Sequence, residues 1–428
     1  MPDSSSSNAS GRPGPPDARR LLAVTDWVLV AILALLAGFG AWKVAKSVPA
    51  EETYGTHPDV YFSADCGRVL ANMRTRTESD HHRTNVHPLF SIIMHPTYRA
   101  VCMLVGAPPG TEADSPKFIV ASCLLSGIGA AVAMALFFAI LRVIGTPLPD
   151  TLVYCVLAAS SAFALFWFTV PETYTWGAIS ILFALFISAI GCLRPVRAFW
   201  FAVASLGTFA ITTTNWSVGL LATWTGLPLR KALILTVAVA CVASGLSITQ
   251  KLLFPSSWFF FNIAREKNYV MQSHSEGPPA AVRSMLFHTM VVPELTTMTH
   301  TRYADTKILR IQGSAIGGNQ WTGKVAAALW GVVFVAGIYA LATHHGLAPF
   351  RVVLGLSLAG QFALHAIYGA ETFLYSAHFG PMMILTTAFI SQTRFRLVGV
   401  TASGVLAVLL LVHNLAKHAE AMNLIRSL

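Results

Sequence analysis

Apolar runs of about 18–20 residues recur along this chain, each long enough to cross the hydrocarbon core of a bilayer. About eleven can be placed, at roughly residues 22–45, 118–141, 151–170, 177–193, 199–213, 216–229, 232–249, 325–343, 350–368, 378–392 and 397–414. The sixth is short and holds Pro228, which suits a partial or re-entrant segment. Most connections are brief, but residues 49–117 and 250–324 form two long polar segments. The pattern predicts an all-α polytopic membrane helix bundle of about 11 transmembrane segments, with a large first loop carrying interfacial helices and a second long loop. Residues 22–428 are expected to form one domain, and residues 1–21, rich in Ser, Pro and Gly, a disordered cytoplasmic tail. Arg19 and Arg20 precede the first run without a small-residue cleavage site after it, as in an uncleaved first helix.

Composition agrees: 54% of the 428 residues are hydrophobic and only 11% charged, against about a quarter charged in soluble domains. The net charge of +10 invites a nucleic-acid partner, but its distribution removes that reading. With a cytoplasmic N-terminus, the short inside connections hold Arg142, Arg194 with Arg197, Arg230 with Lys231, Arg351, and Arg394 with Arg396. The short outside connections, 171–176, 213–217 and 369–377, hold no Lys or Arg, as the positive-inside rule requires. Most of the 19 acidic residues then lie outside. An enzyme working at a membrane surface needs such a large charged first loop, because its ionisable groups must sit in water beside a lipid substrate.

Asp65 lies in YFSADCGRVL (Tyr61–Leu70). Its apolar neighbours can hold the carboxyl near the membrane surface, where it takes a proton from a hydroxyl or amine; the alternative is an N-cap for a helix starting near Cys66. Glu78, Asp80, His81 and His82 form a polar knot, read either as a divalent-cation site or as a solvated turn. Nearby Arg74 and Arg76 can meet a phosphate or merely balance charge. In NVHPLFSIIMHP (Asn85–Pro96), Pro88 and Pro96 suit the starts of two short interfacial helices, with His87 just before the first. Glu172 in VPETYTW is an N-cap-like stabiliser or a site residue. Glu371 and His378 share a turn where charge costs desolvation unless paired or wet. With the TTTNW turn (Thr212–Trp216), these three outside turns are expected to meet at one cavity mouth. Trp258–Phe261 read as an interfacial belt, and Arg265, Lys267, Arg283, Arg302, Lys307 and Arg310 as lipid-phosphate ligands or a solvated face. Cys66 and Cys102 are either bridged or isolated core residues. No P-loop or Rossmann glycine pattern occurs.

YFSADCGRVL, the HPLF of the first loop, PETY and ETFLYSAHF together resemble the GT-C superfamily of polytopic glycosyltransferases. The resemblance covers nearly the whole topology, while its motifs are short. It implies transfer of a sugar from a polyprenyl-phosphate-linked donor to an extracytoplasmic lipid, glycan or protein, at a bacterial inner (plasma) membrane. Asp65 maps onto the family's catalytic acid. Arg68, His87, Glu172, Glu371 and His378 are then expected to bind substrate. The loop departs from the family's paired-acid motif beside the key position. Metal dependence stays open, with Glu78, Asp80 and His82 as candidate ligands. The runner-up is a secondary transporter, for which Asp26 and His365 are the mid-span ionisable candidates, though no internal repeat accompanies them. A non-catalytic membrane protein is a third reading.

Overall fold

The computed structural model describes residues 23–54, 60–108, 115–262, 264, 266–270, 276–299, 307–369 and 371–427. The tail expected at 1–21 lies outside the described residues, as do Arg265 and Arg302. The described chain is mostly helical, with almost no sheet. In order come α1 (Val24–Ala45), α2 (Ala50–Tyr54), α3 (Cys66–Arg74), α4 (Phe90–Leu104), α5 (Pro116–Val143), α6 (Leu148–Ser160), α7 (Ala162–Trp167) and α8 (Thr173–Leu193). They are followed by α9 (Ala198–Ile211), α10 (Trp216–Gly226), α11 (Leu229–Leu253), α12 (Gly277–Arg283), α13 (Trp321–Thr343), α14 (Ala348–His365), α15 (Ser376–Ala388) and α16 (Arg396–Arg426). One hairpin, β1 (Thr296–Thr299) and β2 (Lys307–Arg310), pairs antiparallel from Thr296 opposite Arg310 to Thr299 opposite Lys307.

Every apolar run read from the sequence falls on a helix or a helix pair. Among the described residues, 7 helices are long and apolar enough to cross a membrane: α1, α5, α8, α11, α13, the Thr372–Gln392 run containing α15, and α16. That is compatible with an integral membrane protein. α6 and α9 are apolar but shorter. α10 is 11 residues long and rises only about 16 Å, in keeping with a partial segment. The run containing α15 is the centre of the bundle, 94% buried, whereas only 6% of α1 is covered. α1 leans chiefly on α5, where Gly38 and Gly127 cross so closely that a Cβ on either would strike the other's carbonyl oxygen.

The third run is broken. α6 ends at Ser160, Ser161 is extended, and α7 begins at Ala162. The backbone groups freed by the break are taken up by distant chain. The N–H groups of Ala162 and Phe163 donate to the carbonyls of Met290 (3.1 Å) and Thr289 (3.0 Å). On α16, Asn414 Nδ2 donates to the carbonyls of Ser160 (2.9 Å) and Met290 (2.8 Å), while its Oδ1 accepts from Val292 N (3.0 Å). Irregular backbone is tolerated at such depth only where protein satisfies it. The second long loop is therefore not all surface: Ser284, His288, Thr289, Met290, Val291 and Val292 are fully buried.

The first loop also differs from expectation. Pro96 does not start a second helix; it lies inside α4. Thr97 Oγ1 donates to the carbonyl of Ile93 (2.8 Å), one turn earlier on the helix. One face of α4, with Phe90, Met94, Tyr98 and Val101, is buried in a cluster with α3 and Phe118 of α5. Cys66 and Cys102 are not bridged: each is a buried thiol, in separate core clusters.

Candidate active site

The segment leading to Asp65 is anchored by aromatic packing. Tyr61 and Phe62 pack on Phe166 and Trp167 of α7, Phe62 also meets Phe373, and Tyr61 Oη donates to the carbonyl of Phe166 (3.1 Å). The next two backbone positions are strained. Phe62 and Ser63 have φ of 53° and 62°, in the left-handed region that bulky residues avoid. Each costs on the order of 1–3 kcal/mol, held by its surroundings. This turn delivers Asp65 to the first position before α3. Its side chain does not cap that helix. Instead Arg68 Nη2 donates to Asp65 Oδ2 at 2.6 Å, and the Asp65 N–H donates to Glu172 Oε1 at 2.9 Å. Glu172 Oε2 in turn accepts from Thr173 N (2.6 Å), capping α8.

Asp65, Arg68 and Glu172 form one wall of a cavity of about 230 Å³. His87 and the turn Thr212–Thr214 form a second, and Arg83, Glu266 and Tyr368 a third, while Tyr174, His365, Tyr375 and His378 complete the lining. The cavity thus gathers the start of α8, the α9–α10 turn, the end of α14 and the start of α15 at one end of the bundle. Glu266 ties the long loops together. Its Oε1 accepts from Arg83 Nη1 (2.9 Å) and Asn85 Nδ2 (2.8 Å), and its Oε2 from Tyr368 Oη (2.6 Å). His378 reaches the cavity because α8 has Gly177 there; a Cβ at that position would collide with the His378 ring. Its Nε2 is buried without a hydrogen-bond partner.

Charge is distributed unevenly between the two neighbouring carboxyls. Burial pushes Asp65 up, but the Arg68 guanidinium, helped by Arg83, outweighs it and holds the carboxyl below its usual range. Asp65 is thus ionised at neutral pH. Glu172 is the opposite: burial first, and the Asp65 charge second, push it up to about 7 against the pull of Arg68 and Thr173. Divergent environments for paired carboxyls are a common arrangement in acid–base sites. His87 is pushed down to about 3, chiefly by burial and then by Arg83. It is therefore neutral, its Nδ1–H donating to the carbonyl of Ile211 (2.8 Å), with Nε2 left as an acceptor. The Nε–H groups of Arg68 and Arg83 are buried without partners. Both guanidinium groups belong to residues that line the cavity, and their positive charge suits an anion, above all a phosphate.

Of the residues expected from sequence, Asp65, Arg68, His87, Glu172 and His378 line this cavity. Glu371 does not. It is buried on the other side of the 372–375 turn, where its Oε2 accepts from the backbone N–H groups of Ile311 and Gln312 (3.3 Å each) and faces Arg310 at 3.5 Å. It therefore clips β2 to the bundle and makes no contact that would position His378. The polar knot supplies no metal site: Asp80 pairs with His82 at 2.9 Å on the surface, and His81 turns inward to Ser91 and the carbonyl of Thr75. Among the described residues no group of three His, Cys, Asp or Glu side chains is placed to hold a metal ion. Arg74 stacks on Phe118 instead of facing the cavity. Sequence reasoning missed Arg83, Glu266, Tyr368 and Tyr375 as a set. Arg83 stands four residues before His87, a helical-turn spacing that was its only signal; nothing local marks Glu266. No protein-family model matches the chain, and neither a characterised protein nor a solved structure matches it.

Proposed function

We propose that this protein is an integral membrane glycosyltransferase of GT-C type, moving a sugar from a polyprenyl-phosphate-linked donor to an extracytoplasmic acceptor. What supports it is the meeting, in one cavity, of an ionised, partly accessible carboxylate and two arginines. In this reading the chain crosses a bacterial inner membrane about eleven times, the N-terminus is cytoplasmic and the cavity faces the outside. Asp65 removes the proton from the acceptor hydroxyl or amine. The acceptor atom bonds to the anomeric carbon as the bond from that carbon to the phosphate oxygen breaks. The electron pair leaves on polyprenyl phosphate, whose charge Arg68 and Arg83 neutralise. Glu172 holds the Asp65 backbone and His87 accepts a sugar hydroxyl.

The test is Asp65→Asn in protein purified and reconstituted with a labelled polyprenyl-phosphate sugar. Asn keeps the shape and can still meet Arg68, so the melting temperature should stay near that of the wild type. Transfer should fall about 10²–10⁴-fold, the usual contribution of a positioned base. Turnover like the wild type's would remove the proposal.

A further inference from the structure

A second cavity, of about 400 Å³, lies between α1, α5, α6, α7 and α16. Its walls are aliphatic and aromatic, with Leu36, Gly40 and Val44 on the α1 side and Leu411 and Leu415 on the α16 side. Thr169 is its one hydroxyl residue, and that hydroxyl is already spent on the carbonyls of Leu165 (2.9 Å) and Phe166 (3.2 Å). A cavity without unspent polar groups does not hold water; it takes hydrocarbon. α1 closes it from the side, and α1 is the least covered of the long apolar helices, with Leu36 62% exposed. The space therefore borders the lipid.

Its position relative to the polar cavity is specific. Phe168 and Thr169 line the apolar cavity, and Glu172–Tyr174, a few residues on, line the polar one. On α15, Pro381 faces the first and His378, one turn earlier, the second. The α7–α8 link and the start of α15 are thus a shared partition. The candidate phosphate ligands, Arg68 and Arg83, are on the polar side, whose outer wall is the α9–α10 turn and the end of α14. The donor belongs there. We infer that the apolar cavity receives a hydrocarbon chain of a second lipid and that the acceptor of the sugar is a membrane lipid. The word acceptor rests on the glycosyltransferase reading; the chain-binding site does not. A lipid seated here would have its head group near the end of α1, from which α2 and the first loop lead to Asp65.

Gly40→Leu tests it, because a Cβ at position 40 meets nothing within 4 Å and leucine favours a helix more than glycine does. Ala37→Phe fills the same space from the next position along the lining. Gly245→Leu, at a site equally open on α11, is the control. The full chain in detergent is titrated with palmitoyl-oleoyl phosphatidylglycerol and, separately, with polyprenyl phosphate, and bound lipid is counted by native mass spectrometry. Both filling variants should weaken phospholipid binding about tenfold or more (roughly 1.4 kcal/mol) and leave polyprenyl phosphate binding unchanged, with no effect of the control. Unchanged phospholipid binding in both would overturn the inference. So would loss of polyprenyl phosphate binding, which would make the cavity the donor's. If the binding pattern holds but reconstituted protein transfers no sugar, the glycosyltransferase reading fails and the lipid-chain site stands.

Discussion

Glu172 and Glu371 begin as near twins. Each sits in a turn free of Lys and Arg between apolar runs, each stands just before a helical turn, and burial pushes each carboxyl up to about 7. Their surroundings separate them. Glu172 shares its cavity with an ionised Asp65 and two arginines, and holds the backbone of the former. Glu371 is sealed against Arg310 and the backbone of Ile311 and Gln312, away from that cavity. A raised carboxyl pKa is common to structural clips and to reactive sites. What distinguishes a site is open space bounded by groups whose hydrogen-bonding capacity is not yet used.

The comparison breaks most sharply at Glu371. Glu371→Ala removes the buried carboxyl that meets Arg310 and the backbone N–H groups of Ile311 and Gln312, so stability should fall by about 3–5 kcal/mol. Thermal unfolding in detergent checks this, and a loss under about 1 kcal/mol would make Glu371 dispensable to the fold. Glu172 sharpens the contrast through pH. Its carboxyl is raised in the folded state, so between pH 4.5 and about 7 the folded protein holds more protons than the unfolded chain. Its contribution to stability must therefore decline as pH rises through that window. Glu172→Gln removes the decline: its unfolding free energy, relative to the wild type's, should improve from pH 4.5 to 7 by an amount on the order of 1–3 kcal/mol. A difference flat across that range would mean that folding does not raise the Glu172 carboxyl. The smallest effect is expected at the surface. Asp80→Ala breaks only the exposed pair with His82 and should change stability by no more than about 0.5 kcal/mol. Sugar transfer sensitive to Asp80 would reopen the question of a metal there.

Hydrophobic periodicity made the helices legible, down to the short α10, because apolar run length is written locally. The break at Ser161 was not legible: nothing in VLAASSAFALF announces it, and its cause lies in residues 289–292 and Asn414, far along the chain. The candidate site divides the same way. Glu172 and His378 stood out because charge or imidazole is rare in short turns between apolar runs, while Asp65 was singled out by the resemblance and His87 by its place before Pro88. Glu266 lies in AREKNY, an ordinary polar stretch, and only the folded chain sets it between Arg83 and Tyr368. Glu371 and His378 share a turn in the sequence, but only His378 lines the cavity; Glu371 is bonded to Ile311, Gln312 and Arg310 instead.

The break between α6 and α7 has a consequence for biogenesis. A chain made from its N-terminus delivers Ser160–Phe163 to the bundle early, yet the groups that satisfy this backbone come from the second long loop and from α16, the last helix. For most of synthesis the third hydrophobic run carries an open seam of unbonded amides, and a membrane interior offers no water to cover them. The Ala162 and Phe163 amides wait for residues 289–290, and the Ser160 carbonyl waits for Asn414. Full bonding of the break therefore waits on a contact 254 residues away in sequence, on α16.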